Sequence, residues 1–212
     1  FSKADLSPGG HLAKHILIAT PFALIGAALY QMMLSDELKD TIRSSYTIAA
    51  TTIIFGIALW FADVKGGTQR KEADLTMSHS FWIGASQLVA VLLPGTSRSG
   101  ITMTMARAFG YARTEAARFS MLIGAPLLAA VSVYGLYGLY SAPVDTLALE
   151  GNQVTFEDGL IVAGMAFVSG IASIWFLMSL LKRMSFLPFV IYRLALGVLL
   201  LAASALWLGW IG

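Results

Sequence analysis

Long apolar stretches separated by short polar segments dominate the chain. A spanning helix needs about 20 apolar residues, and a charge at the centre of a bilayer is disfavoured by about 2.5 to 3.5 kcal/mol. Five stretches are long enough and poor enough in charge to cross: residues 15–34, 44–62, 119–141, 159–181 and 187–211. The only Lys or Arg within them is Arg193, near the start of the last one. The pattern therefore predicts an all-α polytopic membrane protein with five full spans.

A further apolar region, residues 75–97, is interrupted before it could cross. Its helical part, residues 79–93, would rise about 22 Å at about 1.5 Å per residue, against a hydrocarbon core of about 30 Å. A Pro-Gly pair then stops the helix, and a second short apolar segment follows over residues 101–112. Two half-length helices joined by a polar break predict a re-entrant hairpin over residues 79–112. The alternative is one long kinked span with Arg98 near its middle.

The distribution of basic residues supports the hairpin. If the hairpin returns to its own side, the following basic residues share one face: Lys65, Arg70, Lys71, Arg113, Arg118, Lys182 and Arg183, together with Lys3 and Lys14 near the start. The opposite face then holds Lys39 and Arg43. A full crossing would divide the basic residues between both faces and remove this bias. The basic face is therefore predicted to be cytoplasmic.

Composition excludes several classes of protein. Of the 212 residues, 57% are apolar and 12% charged, whereas a typical soluble domain carries about 25% charged residues. A soluble single domain is thus excluded. The absence of cysteine excludes a disulfide framework, a thiolate metal site and a cysteine nucleophile. The net charge of +2 gives no support to nucleic-acid binding, because basic loops set the orientation of membrane proteins.

The polar break has the chemistry of an anion site. Non-helical backbone inside a bilayer survives only where protein or a water-filled cavity surrounds it. The break supplies hydroxyl side chains and glycines that let the backbone approach a ligand: Thr96, Ser97, Ser99, Gly95 and Gly100. The N-terminus of the following helix adds unpaired N–H groups, and Arg98 adds a guanidinium whose planar fork suits phosphate. We therefore expect Arg98 to be functional, while any single hydroxyl is equally compatible with helix back-bonding.

Other polar residues near the break are ambiguous or point to structural roles. Gln87 fits an interhelical hydrogen bond as well as it fits a site. Arg107 and Arg193 are expected to snorkel or to form pairs near the membrane interface. No acid occurs from Leu75 to Ala112, so neither carboxylate metal ligands nor a carboxylate base can come from this hairpin.

The polar break belongs to a longer pattern that resembles a known family. The pattern consists of Gly84-Ala85-Ser86-Gln87, Leu93-Pro94-Gly95-Thr96-Ser97-Arg98-Ser99-Gly100, Ala116-Ala117-Arg118-Phe119-Ser120 and Gly124-Ala125-Pro126. Two further runs are Ile18-Ala19-Thr20-Pro21 and Ser185-Phe186-Leu187-Pro188-Phe189-Val190-Ile191-Tyr192-Arg193. Together these runs are spread from residue 18 to residue 193 and are similar to those of undecaprenyl-diphosphate phosphatases of the bacitracin-resistance type.

The resemblance implies an inverted-repeat helical bundle of six spans and two re-entrant hairpins, whose tips meet at a site open to the periplasm. In this chain, a single membrane domain over residues 1–212, residues 12–74 would be the remainder of the first repeat and residues 75–212 the second repeat. The expected location is the bacterial cytoplasmic (inner) membrane. Expected partners are membrane lipids and a polyprenyl diphosphate, with no nucleic acid; a homo-oligomer is an open expectation.

The resemblance also implies the reaction. It is hydrolysis of undecaprenyl diphosphate to undecaprenyl phosphate and phosphate, assisted by a divalent cation (Mg²⁺ or Ca²⁺), which recycles the lipid carrier for cell-wall synthesis. Arg98 and Ser97 are then the expected catalytic residues. The expected substrate-binding residues are Thr96, Ser99, Gly95, Gly100 and Gln87.

One departure from the family pattern bears on activity. The family's first hairpin carries an E-x-x-x-E segment and a Pro-x-Ser-Ser-x-Gly-His run, and this chain contains neither. Gln87 stands where the inverted repeat would place the first glutamate. We therefore expect no metal ligands in this chain, and expect the chain alone to be inactive. A transporter or flippase for an anionic lipid or small anion is the main alternative, because broken helices also serve transport, and a non-catalytic scaffold is a third.

Overall fold

The computed structural model describes residues 8–141, 148–149, 152–153 and 156–211. Its helices are α1 (Pro8–Ala19), α2 (Pro21–Met33), α3 (Asp36–Ile42), α4 (Ser45–Lys65), α5 (Met77–Leu92), α6 (Arg98–Ala108), α7 (Arg113–Ser141), α8 (Phe156–Leu181) and α9 (Leu187–Ile211). A 3₁₀ turn (Glu72–Asp74) precedes α5, and strands β1 (Ala148–Leu149) and β2 (Asn152–Gln153) pair antiparallel between α7 and α8. The described chain is therefore almost entirely helical, as predicted, with this small β-hairpin as an addition.

The five predicted spans are confirmed. Within the described residues, the helices long and apolar enough to cross a membrane are Gly9–Met32, Ser45–Lys65, Arg113–Gly138, Phe156–Leu181 and Leu187–Leu206. Large apolar side chains on α7 and α8 face outward; Val133 is 67%, Phe167 69% and Trp175 71% exposed. Such a surface suits hydrocarbon rather than water. The protein is thus a multi-pass membrane protein.

The first span differs from the prediction at its start. It begins at Gly9 rather than at residue 15, because α1 and α2 are continuous through Thr20, whose backbone is helical at φ −67° and ψ −41°. One polar residue of this span is accommodated by a contact with another helix. His15 is buried, and its Nδ1 lies 2.7 Å from Ser80 Oγ.

Helices α5 and α6 form a hairpin whose two ends meet. At about 1.5 Å per residue, their 16 and 11 residues rise about 24 and 16 Å, short of a hydrocarbon core of about 30 Å. Before α5, Arg70 N donates to Gly110 O at 3.2 Å, and after α6, Ala112 N donates to Arg70 O at 2.9 Å. The chain therefore leaves and returns at the same level, which is the geometry of a re-entrant hairpin.

Helix α6 lies between two buried clusters. Its Ala106 packs in one of them with Phe119 of α7. Its Met103 packs in the other with Leu59 of α4 and Phe186, which precedes α9. Helix α4 packs along α9 and also against α6. The hairpin thus stands beside the two spans, α4 and α9, that build the site described next.

Candidate functional site

The break between α5 and α6 is a tight loop with two residues of positive φ. Gly95 has φ +85°, and Ser97 has φ +67° although it carries a side chain. Ser97 caps α6, because its Oγ accepts a hydrogen bond from Gly100 N at 3.2 Å. Side-chain-bearing residues at positive φ are sparsely populated and cluster at functional sites. The loop, hereafter the hairpin tip (residues 94–100), is therefore held in one unusual shape.

Helix α4 fixes the hairpin tip through adjacent threonines. Thr51 Oγ1 donates to Pro94 O at 2.5 Å, and Thr52 Oγ1 donates to Gly95 O at 3.3 Å. Both side chains are buried. These hydrogen bonds satisfy carbonyls that the broken helix leaves without helical partners. Neither threonine was predicted from the sequence, where their one signal was a pair of adjacent hydroxyl residues inside a membrane span.

Arg193 of α9 also reaches the hairpin tip, which corrects the prediction that it snorkels or pairs at the membrane interface. Its Nη2 donates to Gly95 O at 2.8 Å, and its Nε and Nη2 each lie 3.4 Å from Thr52 O. Helix α4 packs closely on Arg193 at Gly56, where a Cβ would be in ordinary contact with Arg193 Cβ at 3.4 Å. An arginine within a membrane span is a candidate functional residue, so the position of Arg193 in the sequence was itself a signal.

A cavity of about 530 Å³ opens beside the hairpin tip and has two chemically different parts. Its polar end is lined by Gly95, Ser97, Ser99, Gly100, Thr52 and Arg193. Its apolar wall includes Leu59, Met103, Met121, Leu177, Phe186 and Phe189. The structure therefore brings four of the predicted site residues to one cavity and adds Arg193 and Thr52 to them.

Arg98 lies at the hairpin tip, but its side chain turns toward α7 rather than into the cavity. Its Nη1 donates to Gly124 O at 3.3 Å. The absence of a side chain at Gly124 makes this possible, because a Cβ there would stand 2.8 Å from Arg98 Cζ. Gly124 belongs to the Gly124-Ala125-Pro126 run of the sequence pattern, which thus has a role in housing Arg98.

Thr96 and Gln87 are the remaining predicted site residues, and both are fully buried away from the cavity lining. Gln87 makes the interhelical bond that was its alternative role, with Nε2 donating to Ala19 O at 2.8 Å. Within the described ranges, Gln87 Oε1 and Thr96 Oγ1 have no hydrogen-bond partner. Both residues pack the hairpin rather than line the cavity.

Arg107 makes the pairing that sequence analysis expected of it. It is fully buried, and its Nε donates to Asp63 Oδ1 at 3.0 Å. This ion pair lies at the opposite end of α6 from the hairpin tip.

The residues around the cavity do not suit a resident divalent cation. Mg²⁺ and Ca²⁺ prefer carboxylate and other oxygen ligands, and no carboxylate lines the described cavity, where Arg193 instead places a positive charge. In the part of the chain that the structure describes, no group of three or more His, Asp or Glu residues could hold a metal.

Comparison with known proteins agrees with the sequence pattern. The sequence model of the family described as bacitracin resistance protein BacA matches residues 3–199. A Hyphomonas neptunium protein named undecaprenyl-diphosphatase is 59% identical over 211 residues, which is 100% of this chain and 72% of that protein. Proteins of the same name from Ruegeria pomeroyi and Maricaulis maris are 43% and 41% identical over 93% and 92% of this chain, and 70% of each is covered. A match over this much of the sequence shows that the chain belongs to the bacitracin resistance protein BacA family.

Proposed function

We propose that this protein hydrolyses undecaprenyl diphosphate to undecaprenyl phosphate and inorganic phosphate, in the recycling of a cell-wall lipid carrier. The observation that carries the proposal is the cavity with a cationic, hydroxyl-rich end and an apolar wall. A polyprenyl diphosphate has the same two parts, an anionic head and a hydrocarbon tail. The relatives named above carry the name of this hydrolase, and none of those three is named as a transporter.

The polar end supplies what phosphoryl transfer requires of a protein, namely positioning and stabilisation of negative charge. Arg193 places its guanidinium there, already oriented by its bond to Gly95 O. Ser97 and Ser99 offer hydroxyl donors, and Gly95 and Gly100 line the same part of the cavity. In this proposal, Arg193 and Ser97 contact the phosphate that leaves.

Arg98 is assigned to the diphosphate as well. It is the first residue of α6, between Ser97 and Ser99, and a single 3.3 Å bond to Gly124 O holds its guanidinium. A neutral acceptor at that distance is a weak partner for an arginine, compared with the oxygens of a diphosphate. Substrate binding would therefore draw Arg98 from α7 toward the cavity, so that two guanidinium groups share the charge of the head.

The apolar wall is assigned to the first units of the lipid tail, because Met103, Leu177 and Phe189 line the same cavity as the polar residues. The hairpin tip lies at the opposite end of α6 from the basic loops around Arg70 and Arg113. If those loops are cytoplasmic, the site opens toward the periplasmic side of the bacterial inner membrane. A requirement for Mg²⁺ or Ca²⁺ stays an expectation from the family resemblance alone, and so does a homo-oligomer.

The test is phosphate release from undecaprenyl diphosphate in detergent, using the full-length protein that contains these residues. We expect Arg193→Ala and Arg98→Ala each to lower kcat by about 100-fold or more, the usual cost of losing one group that stabilises transition-state charge. The matched control is Arg183→Ala, which removes an exposed arginine from the loop between α8 and α9. Its rate should stay within about twofold of wild type, because surface charges are screened.

Size-exclusion profiles like that of the wild type would show that the variants fold. Turnover close to wild type in folded Arg193→Ala would refute its assignment, and the same result in Arg98→Ala would refute that of Arg98. Absence of phosphate release from the wild-type protein, with lipid movement across proteoliposomes instead, would overturn the hydrolase proposal in favour of transport.

A further inference from the structure

The carboxylate of Asp63, near the end of α4, ties three other parts of the chain together. Its Oδ1 accepts from Arg107 Nε at 3.0 Å and from Arg113 Nε at 2.8 Å, and its Oδ2 accepts from Phe186 N at 3.2 Å. These donors belong to the last turn of α6, the first turn of α7 and the residue that precedes α9. The Asp63 side chain is 5% exposed. One buried carboxylate thus joins the base of the hairpin to α4, α7 and α9.

Arg107 reinforces the junction with carbonyls on both sides of it. Besides Asp63 Oδ1, it donates to the backbone oxygens of Asp63 (2.9 Å), Gly66 (3.2 Å), Gly67 (2.7 Å) and Tyr111 (2.5 Å). The first three acceptors lie at or just beyond the end of α4, and the fourth follows α6. The guanidinium therefore fixes the end of α6 to the end of α4 in both position and rotation.

The elements joined at Asp63 are those that meet again at the hairpin tip. Helix α4 carries Thr52, α9 carries Arg193, and α6 begins directly after Ser97. The nine residue steps from Arg98 to Arg107 correspond to about 14 Å of helix. Because packed helices move as rigid bodies, a shift or rotation of α6 at its base displaces Ser97 relative to Arg193 at its tip.

We propose that Asp63 is a positioning residue for the site, an inference that rests on the proposed function. Asp63 does not itself line the cavity. It sets the register of α6 against α4 and α9, so that Ser97 and Arg193 face the same phosphate. Stability alone is a poor account of this network, because a buried ion pair can often be replaced by apolar residues without loss of stability, whereas its geometry is specific.

The test is a double-mutant cycle between Asp63→Asn and Arg193→Ala, measured as phosphate release by the full-length protein. If Asp63 acts by placing the hairpin tip against Arg193, Asp63→Asn should lower kcat about 10- to 100-fold in the wild-type background, since a misplacement of about 1 Å can cost about 100-fold. Asp63→Asn should lower kcat less than about threefold in the Arg193→Ala background, because the guanidinium against which Asp63 positions the hairpin tip is then already absent. The change in KM of Asp63→Asn should be smaller than the change in kcat, since the Asp63 side chain contacts the apolar wall only through the backbone N–H of Phe186.

A merely structural role would reduce the folded fraction by the same factor in both backgrounds. Equal losses in the two backgrounds, or kcat near wild type in Asp63→Asn, would therefore overturn the inference. The matched control is Glu72→Gln, which removes the carboxylate of the Glu72–Arg118 ion pair (3.3 Å) on the same face of the protein; its rate should stay within about twofold of wild type.

If Asp63→Asn fails to fold, Arg113→Gln serves in its place. Arg113 is 35% exposed and provides only one of the hydrogen bonds to Asp63, so the change is milder. We expect a loss of about threefold to tenfold in kcat that again nearly disappears in the Arg193→Ala background. Additive behaviour of Arg113→Gln would count against positioning. Wild-type protein without phosphate release would instead refute the proposed function, which is a separate outcome.

Discussion

Gly95→Ala tests whether the shape of the hairpin tip governs activity, without removing any polar group. An alanine Cβ at position 95 would stand 2.5 Å from Ile48 O and 2.9 Å from Thr52 Oγ1, and would also overlap Thr51 Oγ1. Ile48 O belongs to the backbone of α4 and cannot yield without moving the helix. The hairpin tip must therefore move away from α4.

The size of the effect follows from these distances. An ordinary van der Waals contact begins near 3.4 Å, so the shortfall of 0.9 Å at Ile48 O (3.4 minus 2.5) is the displacement required. Moving the tip weakens the bonds from Thr51 to Pro94 O and from Thr52 to Gly95 O, each worth about 0.5 to 1.5 kcal/mol. The left-handed backbone adds about 1 to 2 kcal/mol. We expect a loss of stability of about 2 to 5 kcal/mol, and a loss in kcat of up to about 100-fold for a displacement near 1 Å.

Gly110→Ala is the matched control. Gly110 has φ +86°, almost the same as the +85° of Gly95, and it lies in the loop that follows α6. A Cβ there would be 3.9 Å from its nearest neighbour, Gly67 Cα. This variant is therefore expected to lose about 1 to 2 kcal/mol of stability through its backbone conformation alone. Its side chain causes no clash and lies far from the cavity.

The assay is phosphate release by the full-length protein, normalised to folded protein, with thermal unfolding in detergent as the measure of stability. Both variants should melt below the wild type, and only Gly95→Ala should lose activity in its folded fraction. Equal kcat in folded Gly95→Ala and Gly110→Ala would refute the view that α4 sets the shape of the hairpin tip for catalysis.

Two further predictions test Arg98 and a buried tyrosine. Gly124→Ala would place a Cβ 2.8 Å from Arg98 Cζ and push the guanidinium away from α7. The charge of Arg98 is retained, so we expect the KM for the lipid substrate to change. Unchanged kinetics would argue against a functional role for the contact between Arg98 and Gly124. Burial raises the pKa of Tyr111, in the loop after α6, to about 12, above its ordinary value of about 10. The protonated form therefore favours the folded state, and this contribution is complete below pH 10 and disappears as the pH rises toward 12. The melting temperature should fall over that pH range more in the wild type than in Tyr111→Phe. Parallel curves of melting temperature against pH would contradict the raised pKa of Tyr111.

The sequence predicted those features that depend on local pattern. Long apolar stretches poor in charge predicted the spans, and the Pro94-Gly95 pair predicted the hairpin. Both features depend on residues that are close together in the sequence. The first span was predicted to start too late, at residue 15 instead of Gly9, because spans were defined as runs poor in charge and Lys14 immediately precedes residue 15. In the structure His15 is buried against Ser80 of another helix.

Pairings between distant residues could not be predicted in the same way. The bonds from Thr51 to Pro94 and from Arg193 to Gly95 join residues separated by 43 and 98 positions. In a span that is apolar on every side, periodicity does not reveal which face meets which neighbour. Arg193 was therefore assigned to the interface and Arg98 to the cavity, whereas in the structure Arg193 lines the cavity and Arg98 rests against Gly124.

Arg107 is buried, and Arg98 and Arg193 are half-buried. The partners of these three arginines distinguish structural from ligand-binding roles more clearly than their positions in the membrane do. Arg107 is paired with the carboxylate of Asp63, which it shares with the partly exposed Arg113. Arg98 and Arg193 donate only to backbone carbonyls, and no carboxylate of the described chain lies within ion-pair distance of either. Carbonyl dipoles only partly compensate a desolvated cation, whereas a unit countercharge at 4 Å contributes about 4 kcal/mol at an effective dielectric constant of about 20. The base of the hairpin therefore carries its own countercharge and can be permanent structure, while the tip is electrostatically complete only when an anion such as a diphosphate is bound.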